Sequence, residues 1–137
     1  MPLTYFSTNK FINVLNGSGS YPTQNTYFGL STTTPTLSGG SISEPTIGTG
    51  AYARVLSNTA TYFAAANGTA NNQTAITFPV SSASWSTGAT NLTTLCVFDL
   101  AVSGNLVSYS ALTNPAAVNS AGVTVSLAAN SYVTTLS

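Results

Sequence analysis

The sequence predicts a small all-β domain carrying one short N-terminal helix, and three observations lead there. From Gly17 onward, short runs rich in Thr, Tyr, Phe and Val are separated by clusters of Gly, Asn, Ser and Pro, the pattern of β-sandwiches and barrels. Helical spacing is confined to the start, where Leu3, Tyr5, Phe6, Phe11, Ile12, Val14 and Leu15 include pairs three and four apart. At 137 residues and 13.9 kDa, with no internal repeat, the chain is sized for one compact core, so a single domain over 1–137 is expected.

The helix is expected over about 4–15. Thr4 or Ser7 is placed to cap its start, and Gly17 stands where a helix C-terminal glycine belongs. Its β-branched and Asn residues make it a modest helix former that depends on packing against the rest of the domain. Strands are expected near 26–31, 51–57, 60–65, 74–80, 92–99, 105–112, 116–119, 122–128 and 131–136. The clearest has Val123, Val125 and Leu127 alternating with Thr124 and Ser126, one face buried and one wet. Ser103–Gly104–Asn105 reads as a hairpin turn, because Gly and Asn tolerate positive φ. Two stretches lack periodicity and read as loops, Thr32–Gly50 and Ala65–Asn72. The first serves either as a crossover between sheets or as a surface for partners.

Composition excludes most chemistry. The charged fraction is 3%, whereas soluble domains usually carry about a quarter. Ser, Thr and Asn make up about 40% of the chain and must supply the polar surface instead. With no clustered Lys and Arg there is no footprint for nucleic acid. A formal net charge of +0 leaves nothing to keep copies apart, which suits self-assembly or docking onto a lattice. No segment approaches the ~18 apolar residues that span a membrane, and MPLTYFSTNK lacks the pattern of a secretory signal, so no membrane partner is expected. The sequons at Asn16, Asn67, Asn72 and Asn91 are what so much Ser and Thr produces by chance.

The chain has no His, so neither a Ser–His–Asp nor a Cys–His arrangement can be built and the many hydroxyls lack their usual base. Cys96 is the sole cysteine, which rules out an internal disulfide and a zinc site built on nitrogen and sulfur. Gly48-x-Gly50 is too short for a phosphate loop. Glu44 and Asp99 are the only acids, and they read as turn caps or ion-pair partners rather than as a glycosidase-like pair. No catalytic residue, cofactor or metal site is therefore expected, and Lys10 reads as a solvated side chain. The aromatics beside the strands read as core. The alternative is a sugar-stacking platform, for which Trp85 is the first candidate.

Several short motifs in order add a resemblance. They are Asn9-Lys10 with Leu15-Asn16-Gly17, Tyr27-Phe28-Gly29-Leu30, Thr33-Thr34-Pro35, Glu44-Pro45 and Gly50-Ala51-Tyr52-Ala53-Arg54-Val55. Then follow Ile76-Thr77-Phe78-Pro79, Trp85-Ser86-Thr87, Val97-Phe98-Asp99, and Gly104-Asn105-Leu106 with Tyr109 and Leu112. Over nearly its full length the chain resembles a family of small phage virion proteins. Its members are often labelled tail fibre proteins and include capsid cement or decoration proteins. Ser86 and Cys96 depart from the resemblance by standing where glycine is expected.

The resemblance implies a jelly-roll-like antiparallel β-sandwich. It implies a structural protein of the particle, foremost a cement protein on the outer capsid surface that binds the major capsid protein and copies of itself as a dimer or trimer. The alternative is a tail fibre or baseplate module that binds host glycans. Three of the four charged residues fall inside the motifs, and Arg54 is expected to pair with Glu44 or Asp99 and so fix the 32–50 loop. Thr34, Pro35, Glu44, Pro45 and Trp85 are the candidate partner contacts.

Overall fold

The structure is a computed structural model that describes residues 2–20, 25–57, 66–86 and 90–135. It is all-β with one short helix, α1 (Tyr5–Leu15). The strands among the described residues are β1 (Thr26–Ser31), β2 (Val55–Ser57), β3 (Thr69–Asn71), β4 (Ile76–Thr77), β5 (Leu92–Phe98), β6 (Leu106–Ala116), β7 (Ser126–Leu127) and β8 (Val133–Thr135).

The helix begins one residue inside the expected start. Thr4 is its N-cap by backbone geometry but makes no side-chain cap bond. Its hydroxyl, with that of Ser7, donates instead to the carbonyls of Leu106 and Val107 on β6. The first amides are met from outside the helix, Thr4 N–H by Val107 O at 3.1 Å and Tyr5 N–H by Leu37 O at 2.9 Å. At the other end Gly17 has φ +68, its N–H bonds Val14 O, and Ser18 N–H bonds Asn13 O, the paired closure that a left-handed glycine permits.

The main sheet is antiparallel in the order β2-β1-β5-β6. Alternation assigns its faces, with Phe28, Leu30, Leu95 and Val97 entering the larger core and Cys96, Phe98 and Leu106 forming a smaller cluster with Ile42 and Tyr109. β5 is buried on both faces over its second half, which is why Leu95–Phe98 reads as a continuous apolar run. Asp99 ties the β5–β6 hairpin, accepting from Asn105 N–H at 2.6 Å and from its side-chain amide at 2.9 Å. Ser103 and Gly104 take the positive φ that the turn needs.

Across the larger core lie two ladders of two strands, β3 with β8 and β4 with β7. A jelly roll sets two four-stranded sheets face to face. Here the described residues form one such sheet, opposed by short ladders and extended segments. Strand-like bonds continue past the ladder ends, from Phe78 N–H to Val125 O and from Ser81 N–H to Val123 O. The alternation over 123–127 is present, with Val125 buried and Thr124 and Ser126 exposed. The core is aromatic, with Tyr52 edge-on to Trp85 at 5.1 Å and Phe28 edge-on to Tyr132 at 5.3 Å.

Two expectations for strands come out differently, a third cannot be compared, and one strand falls where a loop is expected. The span 51–57 starts as a single 3-10 turn, Thr49–Ala51, before β2. The span 116–119 is the end of the longer β6, followed by Val118, which is wholly buried. The span 60–65 lies outside the described residues. β3 occupies what reads as a polar loop, starting after an Asn67–Gly68 turn with both φ positive. Asn72, next to it, has 0% exposure. Its amide donates to Thr74 O at 2.8 Å and Ala128 O at 2.9 Å, and its oxygen accepts from Tyr132 N–H at 2.9 Å.

Truncating Asn72 removes its three hydrogen bonds to the backbone, that from the buried Tyr132 N–H among them. Asn72→Ala is expected to lower the unfolding free energy by about 3 kcal/mol, read as a shift of the urea midpoint at unchanged slope.

Candidate functional site

Arg54 and Glu44 meet on the second face of the main sheet. Arg54 enters just before β2, and its guanidinium lies 3.4 Å over the Phe98 ring. It grips Glu44 with two parallel bonds, Nε to Oε1 at 2.9 Å and Nη2 to Oε2 at 2.7 Å. Its Nη1 donates to Leu100 O at 2.7 Å and Ser103 O at 2.6 Å, on the β5–β6 hairpin. The Arg54 side chain is 4% exposed and that of Glu44 14%. One arginine therefore holds the long loop, the sheet face and the hairpin together. Asp99 is not the partner of Arg54; it is used within its own hairpin, where a backbone amide lies nearer than any cation.

Glu44 is met from a second side. Tyr52 donates its hydroxyl to Glu44 Oε1 at 2.8 Å and accepts from Leu30 N–H at 2.9 Å. A β-carbon on Gly29 would lie 2.7 Å from Glu44 Oε1 and 2.9 Å from Phe98 Cε2, so glycine is required under this group. Burial, reinforced by Glu44, holds the Tyr52 hydroxyl well above the ordinary tyrosine range. Burial likewise raises Tyr132, and it pushes the Cys96 thiol up to about 12. Cys96 is wholly buried and free, filling a position where glycine was expected.

The loop that Glu44 anchors folds back on itself. Thr32 N–H bonds Ser43 O, Ser31 Oγ receives the N–H of Ser43, and Thr36 closes the tip against Gly40. It covers the sheet, with Ile42 packed on the smaller cluster. Of the candidate contacts on it, Thr34 is exposed, Pro35 is buried, and Glu44 and Pro45 are half-buried. Trp85 is corrected as a partner contact and takes the core role read for the strand aromatics, because it is 6% exposed and its indole N–H donates to Gly50 O at 2.6 Å. A side chain so placed is core and offers no stacking platform. Lys10 lies 5.4 Å over the Phe6 ring rather than in open solvent.

Exposed apolar surface lies elsewhere, on a helix face the sequence reads as packed against the domain. Beyond its first turn α1 is uncovered, with Phe11 40%, Ile12 50%, Val14 37% and Leu15 69% exposed. Leu100 and Val102 at the hairpin tip are also more than half exposed. A groove of about 210 Å³ between β6 and the β7–β8 end is lined by Leu112, Leu127, Ser131, Tyr132 and neighbours, with no charged side chain among them. Among the described residues, no three of Cys, Asp and Glu gather where they would hold a metal ion.

A nearly uncharged β body that carries a helix with an exposed apolar face has the character of a structural module. Residues 2–135 match the family described as podophage GP4 fiber I protein gp80, and the chain belongs to that family, making it a fibre-type structural protein of a phage virion. No curated protein matches the chain.

Two tests address the clamp. Glu44→Gln leaves the buried guanidinium unpaired and is expected to cost about 3 kcal/mol, while replacing both partners together (Arg54→Met with Glu44→Leu) recovers most of that loss in urea titrations. The pH dependence follows from the raised phenols. Tyr52 and Tyr132 stay neutral in the native state while the unfolded chain ionises near 10, so stability is intact below that value and falls as pH rises beyond it. Tyrosine absorbance at 295 nm is expected to show these two ionising only together with unfolding.

Proposed function

We propose that the chain is a fibre subunit of a podophage particle, acting by assembly and without catalysis. The family match carries this reading. The structure supports it with a body whose few charges are spent internally and whose projecting helix is apolar. On this reading its partners are other particle proteins and copies of itself, met through uncharged surfaces, and neither nucleic acid nor membrane is a partner.

One observation favours the second reading, a cement protein on the outer capsid surface bound to the major capsid protein. The chain has no heptads or β-helix period from which a shaft is built, and a compact module of this size suits decoration of a lattice. Copy number decides between them. Quantitative mass spectrometry of purified particles is expected to give the low number set by the symmetry of a fibre-bearing structure. A number matching the major capsid subunits would replace the fibre reading with the cement one.

A further inference from the structure

The face of α1 that seats the helix does not stop where the body stops. Thr4, Ser7, Phe11 and Val14 recur at spacings of three, four and three, so they lie along one line of the helix, with Leu15 beside them. At the start of this line Thr4 and Ser7 are buried on Leu106 and Val107 of β6. One turn further the same side of the helix carries Phe11, Val14 and Leu15, which are exposed. Ile12 and Tyr5 widen the apolar band, at 50% and 59% exposure.

We propose that this overhanging face of α1 packs on a second copy of the chain, α1 against α1. The proposal names the partner of the assembly surface and rests on the reading of the chain as an assembly subunit. Three features select a copy of itself. The first is charge: Arg54 and Glu44 neutralise each other, Asp99 is bound in its hairpin, and Lys10 is drawn over Phe6, away from the apolar line. Two copies therefore meet with the Lys10 pair at the margin of the contact as their only facing charges, and no field is left to select an oppositely charged partner.

The second is area. The exposed fractions of Tyr5, Phe11, Ile12, Val14 and Leu15 amount to roughly 400–500 Å² of apolar surface at ~150–200 Å² per side chain. A stable pair takes about 800 Å² from each partner. The helix supplies more than half of that, and the loop tip at Leu37, which is 39% exposed and bonded to the helix start, borders it. The third is geometry: helices whose apolar residues alternate at three and four pack side by side.

Sedimentation equilibrium of the purified chain is expected to show a multiple of the 13.9 kDa monomer. Phe11→Gln with Leu15→Gln, both helix-compatible and at exposed sites, is expected to give the monomer mass with unchanged far-ultraviolet circular dichroism and Trp85 emission. Lys10 is the only lysine, so an amine-reactive cross-linker is expected to yield a Lys10–Lys10 peptide pair in the wild type and none in the double variant. A wild-type chain that stays monomeric, or an oligomer that survives the substitutions without the Lys10 pair, overturns the proposal. Either result leaves the fibre reading standing if particles still carry the chain at fibre copy number, whereas a cement copy number overturns that reading whatever the mass of the free chain.

Discussion

The Arg54–Glu44 pair is the constraint on which the rest of the architecture turns. A sheet whose central strand is buried on both sides needs two covers, and this chain has a full core for only one face. The second face carries a small cluster of Cys96, Phe98 and Leu106, too little apolar surface to hold a long loop by burial alone. The clamp supplies the missing specificity. Removing two charges from water is costly, and the pair survives burial because nearly every donor and acceptor around it is met by Tyr52, Leu100, Ser103 and the Phe98 ring. Its geometry also dictates composition nearby, since only glycine at position 29 leaves room for the carboxylate.

The same logic explains how a chain with so little charge keeps a polar interior quiet. Among the described residues no buried side-chain nitrogen or oxygen lacks a hydrogen-bond partner. Hydroxyls and amides do that work: Ser31 closes the loop base, Ser81 bridges Ser120 and Val123, and Asn72 stitches β3 to the β7–β8 turn. The abundance of Ser, Thr and Asn thus serves the inside as well as the surface. Short ladders of two or three residues suffice opposite the main sheet because side chains continue the bonding where strand pairing ends.

Much of this was legible beforehand, and the exceptions have physical causes. β1 falls on the expected 26–31, and β5, β6 and the Ser103–Gly104 turn are close to their expected places, because apolar alternation and turn glycines are local signals. The Arg54–Glu44 contact was among the two pairings expected, since a chain with two acids offers an arginine few choices. β3 was missed because Thr69–Asn71 pairs with β8, more than sixty residues away, and carries no large apolar residue. Trp85 is open to two readings because a tryptophan flanked by serines looks the same in sequence whether it packs edge-on against Tyr52 or faces water. The helix is present as expected, and only the covering of its apolar face differs. Its apolar spacing was read as a packing face, and spacing alone does not say whether the body is long enough to cover it.

That overhang has an energetic consequence for assembly. Eleven residues of modest propensity are below the roughly 12–15 at which a helix becomes marginally stable alone. Here the first turn is fixed by bonds to Val107 and Leu37, and the last is closed by the Gly17 turn, so the middle is held from its ends rather than by burial. Nucleation is thereby supplied by the β body, and only propagation is left to the exposed residues. A surface of this kind is preformed yet weakly held, so whatever covers Phe11, Ile12 and Leu15 gains apolar contact without first having to order a disordered segment. The clamp fixes the loop and the hairpin on the body, and the helix is one of the apolar surfaces left exposed, beside Leu100 and Val102 at the hairpin tip.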